Sequence, residues 1–333
     1  MKVRVKHIIR KLLPAAGRVV LYLAATACAG SDVEPIDAAP TDARPDAHRA
    51  RDTRQLPDAP EPDARPPTLT DSGADTAIDA AEPDGGVPSC SANWIRSELA
   101  DARRYTGLHR RAFIVETPAI VDEADICCAE RYALRVRNYE GPPDLRAGFV
   151  NVRITDLVVD GRFGAAIGTS RDHPGGRLFL SNVHVAPHWP AWQSYGTTNY
   201  DGLVLDGSES VYAEDLTIVD YNADAALDIK APVAEFVRLR VDGPGHRPLR
   251  FWGRGPYYLV ESSLRNPRRS TLLWFQDCEG AELRVFATSF EGRPIPSAEQ
   301  VECERGTTPT IVALATDPRE TGEMHPMFGP CAR

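Results

Sequence analysis

One interval constrains this chain more than any other feature of its sequence. Within residues 199–253 a short apolar alternation recurs as Leu203-x-Leu205, Leu227-x-Ile229 and Leu249-x-Phe251. A polar residue stands just before each: Asp201, Asp224 and His246, spaced 23 and 22 residues apart. A period in the twenties marks a solenoid, in which each repeat buries its apolar face against the next. The three polar residues then form either a site or a row of turns.

A second motif, apolar-x-apolar-x-x-apolar-x-apolar, alternates with the first. It reads VRITDLVVDG (152–161), LFLSNVHVAP (178–187), VYAEDLTIVD (211–220), AEFVRLRVDG (234–243) and LRVFATSFEG (283–292), with a looser copy at 258–266. The short alternation also continues outwards as Ala165-x-Ile167, Leu273-x-Phe275 and Val301-x-Cys303. Period-two alternation means strands with one buried face, and Asp-Gly, Asn-Pro and Glu-Gly pairs punctuate them as turns. Several short strands per repeat of 22–26 residues predict an all-β fold, a right-handed parallel β-helix. A leucine-rich repeat would need a recurring Asn or Cys that is absent. SANWIRSELADARR (91–104) reads as a short amphipathic helix, with Ser91 as its cap, that covers the open first rung. The spacing widens once, at HWPAWQSYGTTNY (188–200), and an insert at one rung is where solenoids carry binding groups.

If the apolar pairs point inward, their neighbours line an outer face. One column is Val204, Asp228, Arg250 and Trp274; the next is Asp206, Lys230, Trp252 and Gln276. Trp189, Trp192, Tyr195 and Tyr200 of the insert are placed to overhang it. Flat rings beside hydrogen-bonding groups suit sugars, whose C–H faces stack while their hydroxyls bond. The plainer alternative is an ordinary polar surface with acids and cations paired for solubility. Lys230 and Arg250 on neighbouring rungs also admit the base and acid of a polysaccharide lyase.

The rest of the chain says where such a domain would work. Residues 1–28 hold six Lys/Arg and no acid, followed by the apolar VVLYLAATA (19–27). That is a signal-peptide pattern over 1–27. The run ending in Cys28 resembles a bacterial lipobox, which implies lipidation of Cys28 and anchoring to a membrane outside the cytoplasm. Plain secretion is the alternative. Residues 29–88 contain ten Pro, twelve Ala and 14 acids against five Arg, with few large apolar side chains. Such a stretch cannot bury enough surface to offset its ordering entropy, so 28–88 reads as a tether ahead of a β-helix domain at 89–333. The net charge of −9 argues against nucleic acid. Nothing in the sequence calls for a metal or cofactor, and a monomer is expected.

Six cysteines remain after Cys28: Cys90, Cys127, Cys128, Cys278, Cys303 and Cys331. An even count in an exported chain predicts disulfides. Cys278 and Cys303 lie 25 residues apart, about one repeat, which predicts a bridge between adjacent rungs. Cys90 is expected to reach Cys127 or Cys128; a zinc site is the alternative, without the usual CxxC spacing.

Asn199-Tyr200-Asp201-Gly202, Asn222-Ala223-Asp224-Ala225 and Gly245-His246-Arg247 open three successive strands. In this the chain resembles the polygalacturonase family and the wider pectin-lyase-like β-helix superfamily. That family uses Asn-Thr-Asp-Gly, Asn-Gln-Asp-Asp and Gly-His-Gly turns, then an Arg-x-Lys. The resemblance covers about 55 residues closely and implies an inverting glycoside hydrolase. Asp224 would be its general acid, Asp201 would help activate water, and His246 would complete the site. Ala225 replaces the family's second Asp, and residues 272–275 supply no Arg-x-Lys. The expected ligand is therefore a polysaccharide, bound or hydrolysed. Its binding residues would be Asp228, Lys230, Arg250, Trp252, Trp274, Trp189, Trp192 and Tyr200.

Overall fold

The computed structural model describes residues 90–330 except 138–145, 159–160, 170–175, 187–188, 190 and 207. The predicted signal peptide, Cys28, the tether and Cys331 lie outside the described residues.

Every strand pairing along the ladders is parallel, and two sheets share the chain alternately. The smaller takes one short strand per turn: Phe113–Glu116, Tyr132–Arg137, Phe163–Gly168, Asn199–Leu205, Ala225–Ile229, Arg247–Phe251, Leu273–Asp277 and Val301–Arg305. The larger takes the segment between, from Arg103–His109 and Ala119–Cys127 through Arg146–Thr155, Gly176–Ala186 and Ser208–Val219. From Val233–Val237 onward its rungs break into two pieces, ending at Thr310–Ala313. Each turn pairs with the one before and the one after, which is the parallel β-helix that the repeat predicts.

The longer motif contains its own bend. Its two adjacent x positions interrupt the alternation, so the inward face can be kept only if the chain turns there. A left-handed residue makes that turn on seven consecutive rungs: Glu123, Asn151, Asn182, Asp215, Arg238, Glu261 and Ala287, with φ between 48° and 57°. Asn and Asp tolerate this conformation at low cost; Glu123, Arg238 and Glu261 bond to neighbours in the column. Asn151 Nδ2 donates to Glu123 at 2.6 Å and Asn182 Nδ2 to Asn151 at 2.8 Å. Arg238 Nε reaches Asp215 at 2.6 Å. The ladder corrects one repeat. Ala147 pairs with Leu178, so the rung is AGFVNVRITD (147–156), not the 152–161 window. Both windows satisfy the pattern because Val152 and Ile154 belong to each.

The inward residues form one continuous core from Val115 to Phe290, including the stacked Phe251 and Phe275, whose ring centroids are 5.1 Å apart. A second apolar cluster lies on the outside of the larger sheet. Ile120, Val150, Phe179, Val237, Tyr258 and Val260 are covered there from both ends of the chain. The helix Cys90–Glu98 brings Ala92 and Ile95, with Leu99 just beyond it; the C-terminal segment brings Met324, Met327 and Phe328. The expected N-terminal helix is thus present and shorter, and it covers the flank of the sheet; the edge strand Arg103–His109 is left mostly exposed. Gly148 makes this possible: a Cβ there would stand 2.5 Å from Ile95 Cγ2.

Cys278 and Cys303 are bridged across adjacent rungs, with Cα atoms 5.7 Å apart, as the 25-residue interval predicts. Cys127 and Cys128 are free thiols, so neither is the disulfide partner of Cys90. They are neighbours at a rung end, where Cys128 takes a left-handed turn, φ 61°.

Candidate functional site

The smaller sheet sets its outer face by register. Val204, Asp228, Arg250 and Trp274 are successive cross-strand partners, and Glu302 extends the row. Lys230 meets Asp206 at 3.1 Å and lies 5.2 Å from the centre of the Trp252 ring, so the second column also assembles as expected. The row of Asp201, Asp224 and His246 is different. Asp201 pairs with Ala225, a step of 24, and Ala225 pairs with Arg247. The interval of 23 from Asp201 to Asp224 therefore falls one residue short of the register. Asp224 and His246 share a level; Asp201 sits one residue along, level with Arg247.

This offset decides what the acids touch. Asp201 is 3 % exposed and accepts the Ala225 N–H at 2.9 Å. Burial pushes its carboxyl well above the usual carboxylate range, and the nearby Asp228 and Asp224 push it the same way. Asp224 is fully buried. One of its oxygens is 3.0 Å from His246 Nδ1; the other accepts from Arg250 Nη1 at 2.8 Å. Asp228, also buried, takes the Trp252 indole N–H and lies 3.3 Å from Lys230 Nζ and 3.7 Å from Arg250 Nε. Asp224 and Asp228 thus share the buried Arg250, with Lys230 at the edge of the network. Paired charges of this kind tolerate burial where single ones would not.

Aromatic rings roof this network. Arg250 is 5 % exposed, with its guanidinium 5.0 Å from the Trp274 ring centre, 5.3 Å from Trp252 and 5.6 Å from Tyr195. Arg247 donates to the Tyr195 hydroxyl at 2.6 Å and pairs with Glu302. A cavity of about 410 Å³ lies beside Trp192; a second, of about 460 Å³, opens between Tyr195, Asn199, Lys230, Arg247, Trp252 and Trp274. In the wall of this second cavity Trp274 Nε1 and Asn199 Oδ1 have no protein partner. Among the described residues no three of His, Cys, Asp and Glu gather as metal donors.

The insert divides. Trp192 stacks on the His246 imidazole, centroids 3.7 Å apart and planes 11° from parallel, and its backbone N–H binds Asn222 O. Tyr195 lies outside, 44 % exposed. Trp189 and Tyr200, expected over the groove, belong instead to the central core, in contact with each other at 5.8 Å. The reason is space. Gly164 on the preceding rung has no side chain, and a Cβ there would meet the Tyr200 ring at 2.4 Å, so the phenol enters the core and its hydroxyl binds Gly161 O. Arg247, Asn199 and Glu302 were not picked out from the sequence as binding residues. The signal was available for two of them: Arg247 stands level with Asp201, and Glu302 one rung beyond Trp274.

No protein-family model, no curated protein and no solved structure matches the chain.

Proposed function

We propose that this is an exported, lipid-anchored β-helix protein that binds a polysaccharide on the outer face of its smaller sheet without cleaving it. The observation that carries the reading is the contrast between the acids and the rings. An inverting hydrolase needs two carboxyl groups open to the glycosidic bond, roughly 6.5–9.5 Å apart. Asp224 already gives its oxygens to His246 and Arg250, and Asp201 caps a backbone amide. Lys230, the residue a lyase would need as its base, is already engaged by Asp206 at 3.1 Å and Asp228 at 3.3 Å. The cavity of about 460 Å³, by contrast, is lined by the partly exposed Trp252 indole, Tyr195, Asn199, Lys230 and Arg247. That combination suits a sugar ring.

The test is a panel of plant and bacterial polysaccharides, scored for retention and for release of reducing ends. Trp252→Ala should weaken binding about tenfold, equivalent to ~1.4 kcal/mol. Equal retention by parent and Trp252→Ala, or by no polysaccharide at all, would sink the binding reading. Reducing ends released by the parent and not by Asp224→Asn would restore the hydrolase. The anchor is tested separately: Cys28→Ser should move the protein from the membrane fraction to the soluble fraction.

A further inference from the structure

The cavity of about 410 Å³ beside Trp192 differs in character from the Tyr195–Trp252 cavity. Its walls include Trp192, Asn222, Gly245, His246, Arg268 and Arg269, and among the described residues no acid lines it. Arg268 and Arg269 are both exposed, and no ion pair engages either guanidinium among the described residues.

The backbone that carries the two arginines is also held in place. Asn266, 3 % exposed, accepts the backbone N–H groups of Arg268 and Arg269 at 3.3 and 3.2 Å. Its own amide donates to Gly245 O at 3.0 Å, tying the arginine turn to the rung below. The Arg269 guanidinium sits 5.7 Å from the Trp192 ring centre. His246 is fixed from behind by Asp224 through Nδ1. Trp192 Nε1 and Asn222 Oδ1 are buried in the walls with no protein partner.

We propose that this cavity is an anion site for a tetrahedral oxyanion, the phosphate or sulfate ester of a larger ligand. Two unpaired guanidiniums on a fixed turn supply charge-assisted donors, the chemistry that recognises such groups. The volume exceeds that of a single water, about 30 Å³, many times over, so the ester's organic part has room beside the charge. A sugar ester and a lipid headgroup present the same chemistry. The site stands apart from the polysaccharide reading, because neither arginine borders the Trp252 cavity.

Calorimetric titrations of inorganic phosphate, inorganic sulfate and glycerol 1-phosphate into the full chain test the site. Saturable binding that weakens about tenfold in an Arg268→Gln, Arg269→Gln double variant is expected, with Arg254→Gln unchanged and affinity falling as salt rises. No saturable binding, or equal binding by parent and double variant, overturns the proposal. Vesicles of phosphatidylglycerol against vesicles of phosphatidylcholine distinguish the source. Arginine-dependent sedimentation with the former alone assigns the site to headgroups; glycerol 1-phosphate binding without it assigns soluble esters. Trp252→Ala should leave the anion titrations unchanged, so failure here and failure of the polysaccharide reading are separable.

Discussion

At the scale of residues, one position of slippage separates a catalytic-looking motif from a structural one. Asp201 and Asp224 look equivalent in sequence, each the third residue of an Asn-x-Asp turn. The register places Asp201 against the Ala225 amide and Asp224 between His246 and Arg250. Asp224 is then the hydrogen-bonded one of two buried charges on Arg250, the other being Asp228 at 3.7 Å. Removing one member of a buried pair leaves the other uncompensated, so Asp224→Ala should lower unfolding stability by about 3–5 kcal/mol in urea titration. A loss under about 1 kcal/mol would mean that solvent reaches the pair. The interval of 23 between the two acids hides the offset, while the 24 residues between the inward Leu203 and Leu227 contain it; the partners each acid meets are not in the sequence.

Among elements, the bent rungs of the larger sheet and the C-terminal cover each carry a consequence. Six of the seven left-handed bend residues have a side chain long or polar enough to bond along the column; Ala287 does not. Asn tolerates that conformation better than Ala, so Ala287→Asn should raise stability by about 0.5–1 kcal/mol. An unchanged or lower denaturation midpoint would count against the ladder as a source of stability. On the covered flank, Glu235 accepts the His325 backbone N–H at 2.7 Å. Burial raises the Glu235 carboxyl to about 7 and lowers the His325 imidazole to about 4. The folded chain therefore keeps a proton on Glu235 that the unfolded chain has lost, and stability falls as pH rises from about 4.5 to about 7. His325 acts oppositely: the unfolded chain binds the extra proton, and stability rises between about 4 and about 6.5. In the parent the slopes oppose each other over most of that window. Glu235→Gln should unmask the histidine, giving stability that climbs to about pH 6.5 and then levels. A pH profile superimposable on the parent's would show that Glu235 titrates normally.

For the whole molecule, the two ends of the described chain do the same task on the same flank. The Cys90–Glu98 helix and the segment carrying Met324, Met327 and Phe328 cover apolar residues that face outward from the larger sheet. Phe179, Tyr212 and Tyr258 lie on three of its rungs, and His325 packs against Phe179 and Tyr212 with ring centroids 5.5 and 4.1 Å away. Ending the chain at Pro318 would open an aromatic strip, and such strips promote association. The truncated protein should keep its far-ultraviolet β signal, bind a hydrophobic dye and elute as larger species. A monomeric, dye-negative product would show that the C-terminal cover is dispensable.

Sequence alone determined the fold, because a solenoid writes its period directly into the chain. Inward pairs such as Leu227-x-Ile229, the alternating longer motif and the 25-residue cysteine interval each report a contact between neighbouring repeats. It also determined the outward column from Asp228 to Trp274, which needs only strand alternation. Tertiary structure decided the rest. Tyr200 turned inward because glycine on the preceding rung left a hole, and Trp189 packs against it in the core, which no pattern of polar and apolar letters contains. The meeting of Trp192 with His246 beside Arg268 and Arg269 depends on loop paths between rungs. Periodicity fixes which residues face the core. Only the backbone path between the periods fixes which polar groups meet outside it.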